Sequence, residues 1–207
     1  MATKQWSFSQ SDEIRRCERK WYLAHGRRAA TNSRDPLLRE IAFLKKLRPS
    51  WMWRGSLIHD LIATALMAAR SGRSINQEQL LLYARRAATQ QWEDSRRRAA
   101  ELDPKSRTSP EGPILFEHYF PHALDSVKLD DVISEVTASL GRFLLWARDQ
   151  QLLARLNGGA RVWIDPKQPP SISVHGVNFL TKIDLAIQEG AFFDIVDWKT
   201  DKHPATT

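Results

Sequence analysis

The 207-residue chain has little cysteine and no long apolar run, and each shortage excludes a class of protein. The single cysteine, Cys17, excludes an internal disulfide, and it excludes a zinc or iron–sulfur site built only from cysteines of this chain. No apolar run reaches the roughly 18 residues of a membrane-spanning helix, and the first ten residues lack the apolar stretch of a secretory signal. We therefore expect no membrane partner and a cytoplasmic location, with oxygen or histidine ligands for any metal ion.

Acidic residues are also in deficit, because 24 Asp and Glu stand against 31 Lys and Arg, a formal net charge of +7. This excess suits a polyanionic partner, and it favours nucleic acid over an anionic membrane surface. The candidate nucleic-acid contacts are Arg15, Arg16, Arg19, Arg54, Lys182 and Lys202. The sequence shows no base-reading module, so we expect DNA binding to be mainly electrostatic and independent of base sequence. The alternative is that some basic clusters are simply solvated helix faces.

Capping residues and helical spacing predict four long helices, which span about residues 10–24, 54–70, 76–101 and 130–156. Ile14, Cys17 and Trp21 would form the buried stripe of the first helix. Residues 103–128 contain several prolines and predict a loop with a short helix. His118 and His122 have the spacing of a helical zinc pair, but Pro121 between them disfavours a regular helix. We interpret both histidines as structural or exposed.

The pattern changes after the glycine pair at 158–159, where short β-rich runs replace helical spacing. These runs, at 160–165, 171–174, 177–187 and 192–200, predict strands. The fold class expected is therefore α/β in the α+β sense. We expect one domain over residues 1–207, with a mainly helical layer over 1–158 and a β-rich region over 160–207.

The last two predicted strands form a hairpin that carries the candidate chemistry. Asp197 and Lys199 are two residues apart, so they share one face of the strand. A loop of two or four residues would place Asp184 opposite Ile195 and diagonal to Asp197, whereas a three-residue loop would separate the two acids. Two close carboxylates favour a bound cation such as Mg²⁺, which prefers oxygen ligands. The alternative is an exposed ladder of charged strand residues.

The run KIDLAIQEGAFFDIVDWKT resembles the paired motifs of the RecB-like PD-(D/E)XK nucleases, in which an Ile-Asp strand precedes an Asp-aromatic-Lys-Thr strand. RGSLIHDLIATAL is similar to that family's histidine helix, with Gly55 four residues before His59. SFSQSDEIRRCERKWYL resembles the family's opening segment. The three blocks also follow the family's order.

The resemblance implies a restriction-endonuclease-like core with a mixed β-sheet under a helical N-terminal layer. It implies metal ligation by His59, Asp184, Asp197 and the Trp198 carbonyl, with Lys199 as the catalytic lysine. His59 has an alternative role, since a lone histidine beside an apolar helix face is usually a core residue. The activity implied is Mg²⁺- or Mn²⁺-dependent DNA cleavage, as an exonuclease in recombination, repair or defence, with a helicase or other repair subunit as partner.

Two features depart from the family pattern. Thr181 stands where relatives commonly have glycine, and Cys17 resembles the first of four iron–sulfur cysteines whose partners this sequence lacks. We expect Cys17 to be a buried apolar residue. The family's next helix and last core strand would follow Thr207, so we expect these core elements to be missing and the sheet edge to promote self-association.

Two other functions stay open from the sequence. One is a catalytically inactive nuclease-fold subunit that binds nucleic acid or acts as a scaffold. The other is a helical interaction protein that its terminal strands only stabilise. Strand polarity, single- or double-strand preference and exonuclease or endonuclease action depend on the shape of the site, which the sequence does not reveal.

Overall fold

The computed structural model describes residues 5–6, 8–23, 33–102, 112–120, 127–166, 171–174, 177–180 and 182–199. Their helices are α1 (Phe8–Arg16), α2 (Glu18–Trp21), α3 (Pro36–Leu44), α4 (Ser50–Arg70), α5 (Gln77–Glu101), α6 (Phe116–Tyr119), α7 (Leu129–Asp149) and α8 (Leu152–Asn157). Their strands are β1 (Gln5–Trp6), β2 (Leu47–Arg48), β3 (Ile114–Leu115), β4 (Arg161–Ile164), β5 (Ser171–Val174), β6 (Val177–Leu180), β7 (Leu185–Glu189) and β8 (Phe192–Val196). This mixture of helix and strand confirms the predicted α+β class. Across these segments, no helix is both long and apolar enough to cross a membrane.

Helix α4 lies in the hydrophobic core and carries the predicted histidine. The apolar stripe expected from the sequence is buried throughout: Ile58, Leu61, Ile62, Ala65 and Leu66. The first turn is held from α6, because both carboxylate oxygens of Glu117 accept the Ser50 backbone N–H, at 2.8 and 3.0 Å. A carboxylate there also complements the positive end of the helix dipole. The Glu117 carboxylate therefore ties the first turn of α4 to α6.

Helices α5 and α7 pack on each other, and α7 also packs on α4. The Asn76 side chain accepts the Gln79 backbone N–H and caps α5, which confirms the predicted start of that helix. The apolar stripe of α7 is buried at Val132, Val136, Leu140 and Phe143. These residues share one core cluster with the α4 stripe.

Three helical predictions were wrong in detail. The predicted 10–24 helix is broken at Cys17, which adopts an extended conformation, and its Sγ accepts the Lys20 backbone N–H to start α2. Cys17 is exposed, so the prediction that it is buried was wrong. The predicted 130–156 helix is divided between α7 and α8 by Gln151, whose φ is 49°. Helix α3 was not predicted, although Asp35 caps it and Pro36 occupies its first turn.

The described strands form three small sheets, ordered β1-β6-β5, β2-β3 and β4-β7-β8. The first is mixed, since β1 runs parallel to β6 and β5 antiparallel to it. The predicted strand over 177–187 is divided between two sheets, because β6 pairs with β1 and β5 while β7 pairs with β4 and β8. The prediction of one continuous strand was therefore wrong.

The β7–β8 hairpin has a two-residue turn at Gly190–Ala191, and Gly190 takes the positive φ of 62° that such a turn requires. Its register pairs Ala186 with Ile195. Continuing that register places Asp184 level with Asp197. The prediction that Asp184 lies opposite Ile195 was therefore wrong by two residues.

The inner face of the β4-β7-β8 sheet packs on α4. Leu185, Ile187 and Val162 are buried in the cluster that includes the α4 stripe. At the end of α4, Arg70 Nη1 donates to the Val162 carbonyl at 2.8 Å and ties the helix to β4. This packing brings the side of α4 that carries His59 to the start of β7.

Candidate functional site

Asp184 is the most deeply buried carboxylate of the site, with 5% of its surface exposed. Its Oδ1 lies 3.0 Å from Nδ1 of His59, and its Oδ2 accepts the Trp198 backbone N–H at 2.7 Å. Its own carbonyl accepts the Asp165 N–H at 2.9 Å. Asp184 therefore links α4 to the ends of β4 and β8.

Asp197 and Lys199 follow β8 and form an ion pair with each other. Both are exposed, with 45% of the Asp197 side chain and 69% of the Lys199 side chain accessible. The structure thus assembles two pairs, His59 with Asp184 and Asp197 with Lys199. The Trp198 backbone connects them. Among the described residues, no group of three or more His, Cys, Asp or Glu side chains is arranged to hold a metal ion.

The His59–Asp184 pair nevertheless has the chemistry and spacing of two metal ligands. Neighbouring ligands of an octahedral Mg²⁺ ion, each about 2.1 Å from the metal, lie about 3 Å apart. The 3.0 Å between Nδ1 and Oδ1 matches that spacing. Without a metal a proton occupies this position, because a carboxylate only accepts and Nδ1 must donate. These two residues therefore fit a divalent cation that takes its remaining ligands from water or substrate.

A second acidic group lies beside this pair. Desolvation by the surrounding protein, followed by the nearby Asp165 carboxylate, raises the pKa of Asp60 above its usual value. Lys182 opposes the shift more strongly than His59 or Arg48 does. Lys182, predicted to contact nucleic acid, therefore offsets the negative charge at this side of the site.

A cleft of about 320 Å³ opens next to the Asp197–Lys199 pair. It is lined by Ile58, Ile62, Ser139, Arg142, Phe143, Trp146, Val196, Asp197, Trp198 and Lys199. The α7 residues of this cleft were not among those predicted from the sequence. Their spacing was a usable signal, because Ser139, Arg142 and Trp146 repeat every three to four residues and so share one helix face.

The predicted nucleic-acid contacts are placed differently from one another. Arg15, Arg16 and Arg19 are exposed on α1 and α2, where Arg16 pairs with Asp12 at 3.0 Å. Arg54 forms an ion pair with Glu135, which links α4 to α7, so a phosphate would have to compete with that carboxylate. Lys202 lies outside the described residues.

Neither a curated protein nor a solved structure matches the chain. The model of the PD-(D/E)XK nuclease superfamily matches residues 5–207. This match covers nearly the whole chain and includes every residue of the site described above. The chain therefore belongs to the PD-(D/E)XK nuclease superfamily, a family of nucleases that generally use divalent metals.

Proposed function

We propose that this chain is an Mg²⁺- or Mn²⁺-dependent deoxyribonuclease of the RecB-like branch, acting as an exonuclease. The observation that carries the proposal is the buried Asp184 carboxylate, which holds His59 at the spacing of two metal ligands beside the Asp197–Lys199 pair. The net charge of +7 suits a DNA substrate.

The position of each residue suggests its role in the proposed reaction. His59 and Asp184 would hold the cation, and Asp197 and the Trp198 carbonyl would complete its protein ligands. When bound, the cation lowers the pKa of a water and stabilises charge on the phosphodiester. The Lys199 ammonium would orient the attacking water or neutralise charge that develops on the phosphate. The Trp198 N–H holds Asp184 in place through a 2.7 Å hydrogen bond.

The biological setting we propose is recombination, repair or defence, with a helicase or other repair subunit as partner. The support is the RecB-like character of the motifs and the exposed arginines on α1 and α2. We also propose self-association through the exposed β8 edge.

A second candidate function is a nuclease-fold subunit that binds DNA without cutting it. One observation favours it: within the described segments, Asp197 does not join His59 and Asp184 in a three-ligand group but pairs with Lys199. An active site would need Asp197 to join His59 and Asp184 at the metal, through either of its carboxylate oxygens. A subunit without that step would keep the basic surface and lose the chemistry.

Cleavage of end-labelled DNA in Mg²⁺, Mn²⁺ or EDTA separates the two functions. We expect the wild type to cut in one or both metals and not in EDTA. Lys199→Ala should lose about 100-fold or more in rate, because Lys199 acts on charge that develops in the transition state. Lys128→Ala, which removes an exposed lysine at the start of α7, is the matched control and should cut like the wild type.

Three results would contradict the proposal. DNA binding without cleavage in either metal would identify the binding subunit. Unchanged cleavage by Lys199→Ala would place the chemistry elsewhere or in a contaminant. Absence of both binding and cleavage would exclude a DNA substrate.

A further inference from the structure

The cleft beside Lys199 combines an aromatic wall with a cationic rim. Trp198 packs edge to face with both Phe143 and Trp146, with ring centroids 5.3 Å apart in each pair. Phe143 and Trp146 are tilted relative to each other at 6.2 Å. Phe143 is buried, whereas Trp146 and Trp198 are half-buried and line the opening. Edge-to-face packing fixes the planes of the two indoles before anything binds.

The rim of the cleft carries Arg142 from α7 and Lys199 from the end of β8. Arg142 Nη2 donates to the Ser139 hydroxyl at 3.0 Å, a bond that uses one of the five N–H donors of the guanidinium. Among the described residues of the lining Asp197 is the one acid, and it is paired with Lys199. The rim therefore carries a net positive charge that Arg142 supplies.

We infer that this cleft binds one unpaired nucleotide of the substrate, whose base stacks on Trp146 while Arg142 holds an adjacent phosphate. The inference rests on the proposed function and deepens it, since it assigns the substrate class. A nucleotide unites a planar π-face with an anion, the two features that the cleft complements. The volume of about 320 Å³ lies at the lower end of the range for pockets that hold small ligands.

The position of the cleft decides which nucleic acid fits. A base in a duplex is stacked on both faces and paired at its edge, so it reaches a recessed indole only after it is unstacked, which costs a few kcal/mol. For a base in a single strand this cost is much smaller. Trp146 and Arg142 therefore make the protein prefer single-stranded or frayed DNA, with the phosphate next to the stacked base delivered to Lys199.

The test measures binding in EDTA, where no metal-dependent cleavage occurs, with dye-labelled single-stranded and duplex oligonucleotides. A 2-aminopurine base in the single strand reports stacking, because its fluorescence falls when it packs on an indole. Trp146→Leu keeps an apolar side chain without a π-face, and Trp146→Phe restores one. Arg142→Ala removes the guanidinium, and Arg148→Ala removes an exposed arginine of the same helix that lies outside the cleft.

We expect Trp146→Leu to weaken single-strand binding by about 5- to 100-fold and to abolish the 2-aminopurine quenching. Trp146→Phe should retain most of the affinity. Arg142→Ala should weaken binding clearly more than Arg148→Ala does and reduce the salt dependence by about one phosphate contact. Circular dichroism and thermal melting confirm that each variant is folded before its affinity is compared.

Two outcomes would overturn the inference. The first is folded Trp146→Leu with wild-type affinity and quenching. The second is Arg148→Ala with the same loss as Arg142→Ala, which would assign the effect to the general positive field. If the wild type cuts DNA, either outcome rejects the nucleotide-binding cleft and leaves the proposed nuclease function standing. A wild type that neither binds nor cuts DNA rejects the proposed function instead.

Discussion

Asp184 and Asp197 carry the same carboxylate in opposite surroundings. Asp184 is 5% exposed, and each of its oxygens has a partner, His59 Nδ1 for one and the Trp198 N–H for the other. Asp197 is exposed and pairs only across the surface with Lys199 among the contacts described for it. A surface ion pair contributes little to stability, whereas a buried carboxylate with two hydrogen bonds contributes substantially. The two acids should therefore differ in structural role even if both serve the reaction.

Asp197→Asn and Asp184→Asn test this difference. We expect both variants to lose metal-dependent cleavage. Asp197→Asn should unfold in urea at the wild-type midpoint. Asp184→Asn should lose about 1–3 kcal/mol, because its amide nitrogen must face one of two donors, His59 Nδ1–H or the Trp198 N–H. Equal stability of the two variants would contradict the buried geometry of Asp184, and wild-type cleavage by Asp197→Asn would remove Asp197 from the site.

The residues of the candidate site were chosen from the sequence, but most of the contacts between them could not be predicted from it. The spacing of Asp197 and Lys199 predicted one strand face; β8 ends at Val196, before both residues, yet their side chains still pair. The residue opposite Asp184, in contrast, depends on where the two-residue turn lies. A turn at Gly190–Ala191 places Asp197 there, whereas a turn one residue earlier would place Ile195 there. The Trp198 N–H bond to Asp184 is a backbone contact, and side-chain patterns carry no information about it.

The long helices could be predicted because their buried residues recur at helical spacing. Helices α4 and α5 bury residues at helical spacing, and Asn76 marks the start of α5. The breaks were not predictable. Cys17 and Gln151 are ordinary helix-compatible residues, and no glycine or proline marks either position. The division between β6 and β7 was not predicted, although the two consecutive polar residues Thr181 and Lys182 interrupt the apolar alternation there.

A buried polar contact joins α5, β3 and α6 away from the site. The Ser95 hydroxyl accepts the Leu115 backbone N–H at 2.8 Å and lies 2.9 Å from His118 Nδ1. The His118 ring packs edge-on against Trp92 at 4.4 Å, and its Nε2 is buried without a hydrogen-bond partner among the described residues. A structural role for His118 was one of the two roles expected from the sequence.

His118 should make folding stability depend on pH. Desolvation, followed by the nearby Arg96, holds the pKa of His118 below its usual value of 6.5, while Glu117 and Glu93 oppose the shift. As the pH falls below 6.5, the unfolded chain therefore protonates first, and the free energy of unfolding decreases until the folded pKa is passed.

Urea unfolding above and well below pH 6.5 measures this effect. His118→Gln should show a smaller loss of stability on acidification than the wild type, because it has no imidazole to protonate. Ser95→Ala is the control, since it keeps the imidazole and should retain a pH-dependent loss from a lower starting stability. The same acid-dependent loss in His118→Gln and wild type would show that other groups govern the response.

The outer face of the β4-β7-β8 sheet is apolar and largely exposed. Trp163 and Ile195 are exposed on either side of the buried Ala186, which lies between them on the middle strand, and Phe193 stacks on Trp163 at 6.2 Å. Ile195 is 64% exposed and Phe193 57%. In the part of the chain that the structure describes, β8 is also an edge strand. Such an edge beside an apolar face favours association with another sheet.

The net charge of +7 opposes that association, because like-charged chains repel over a distance that salt shortens. We therefore expect self-association through the β8 edge to increase with protein concentration and with salt, whereas electrostatic DNA binding weakens with salt.

Sedimentation velocity at low and high ionic strength measures the mass. Ile195→Lys and Phe193→Lys should keep the chain monomeric in high salt, since each places a charge on the apolar face. Leu145→Lys, at a site of similar exposure on α7, should associate like the wild type. A wild type that stays monomeric in high salt, or that Leu145→Lys disperses equally well, would show that this sheet face does not mediate contact between copies.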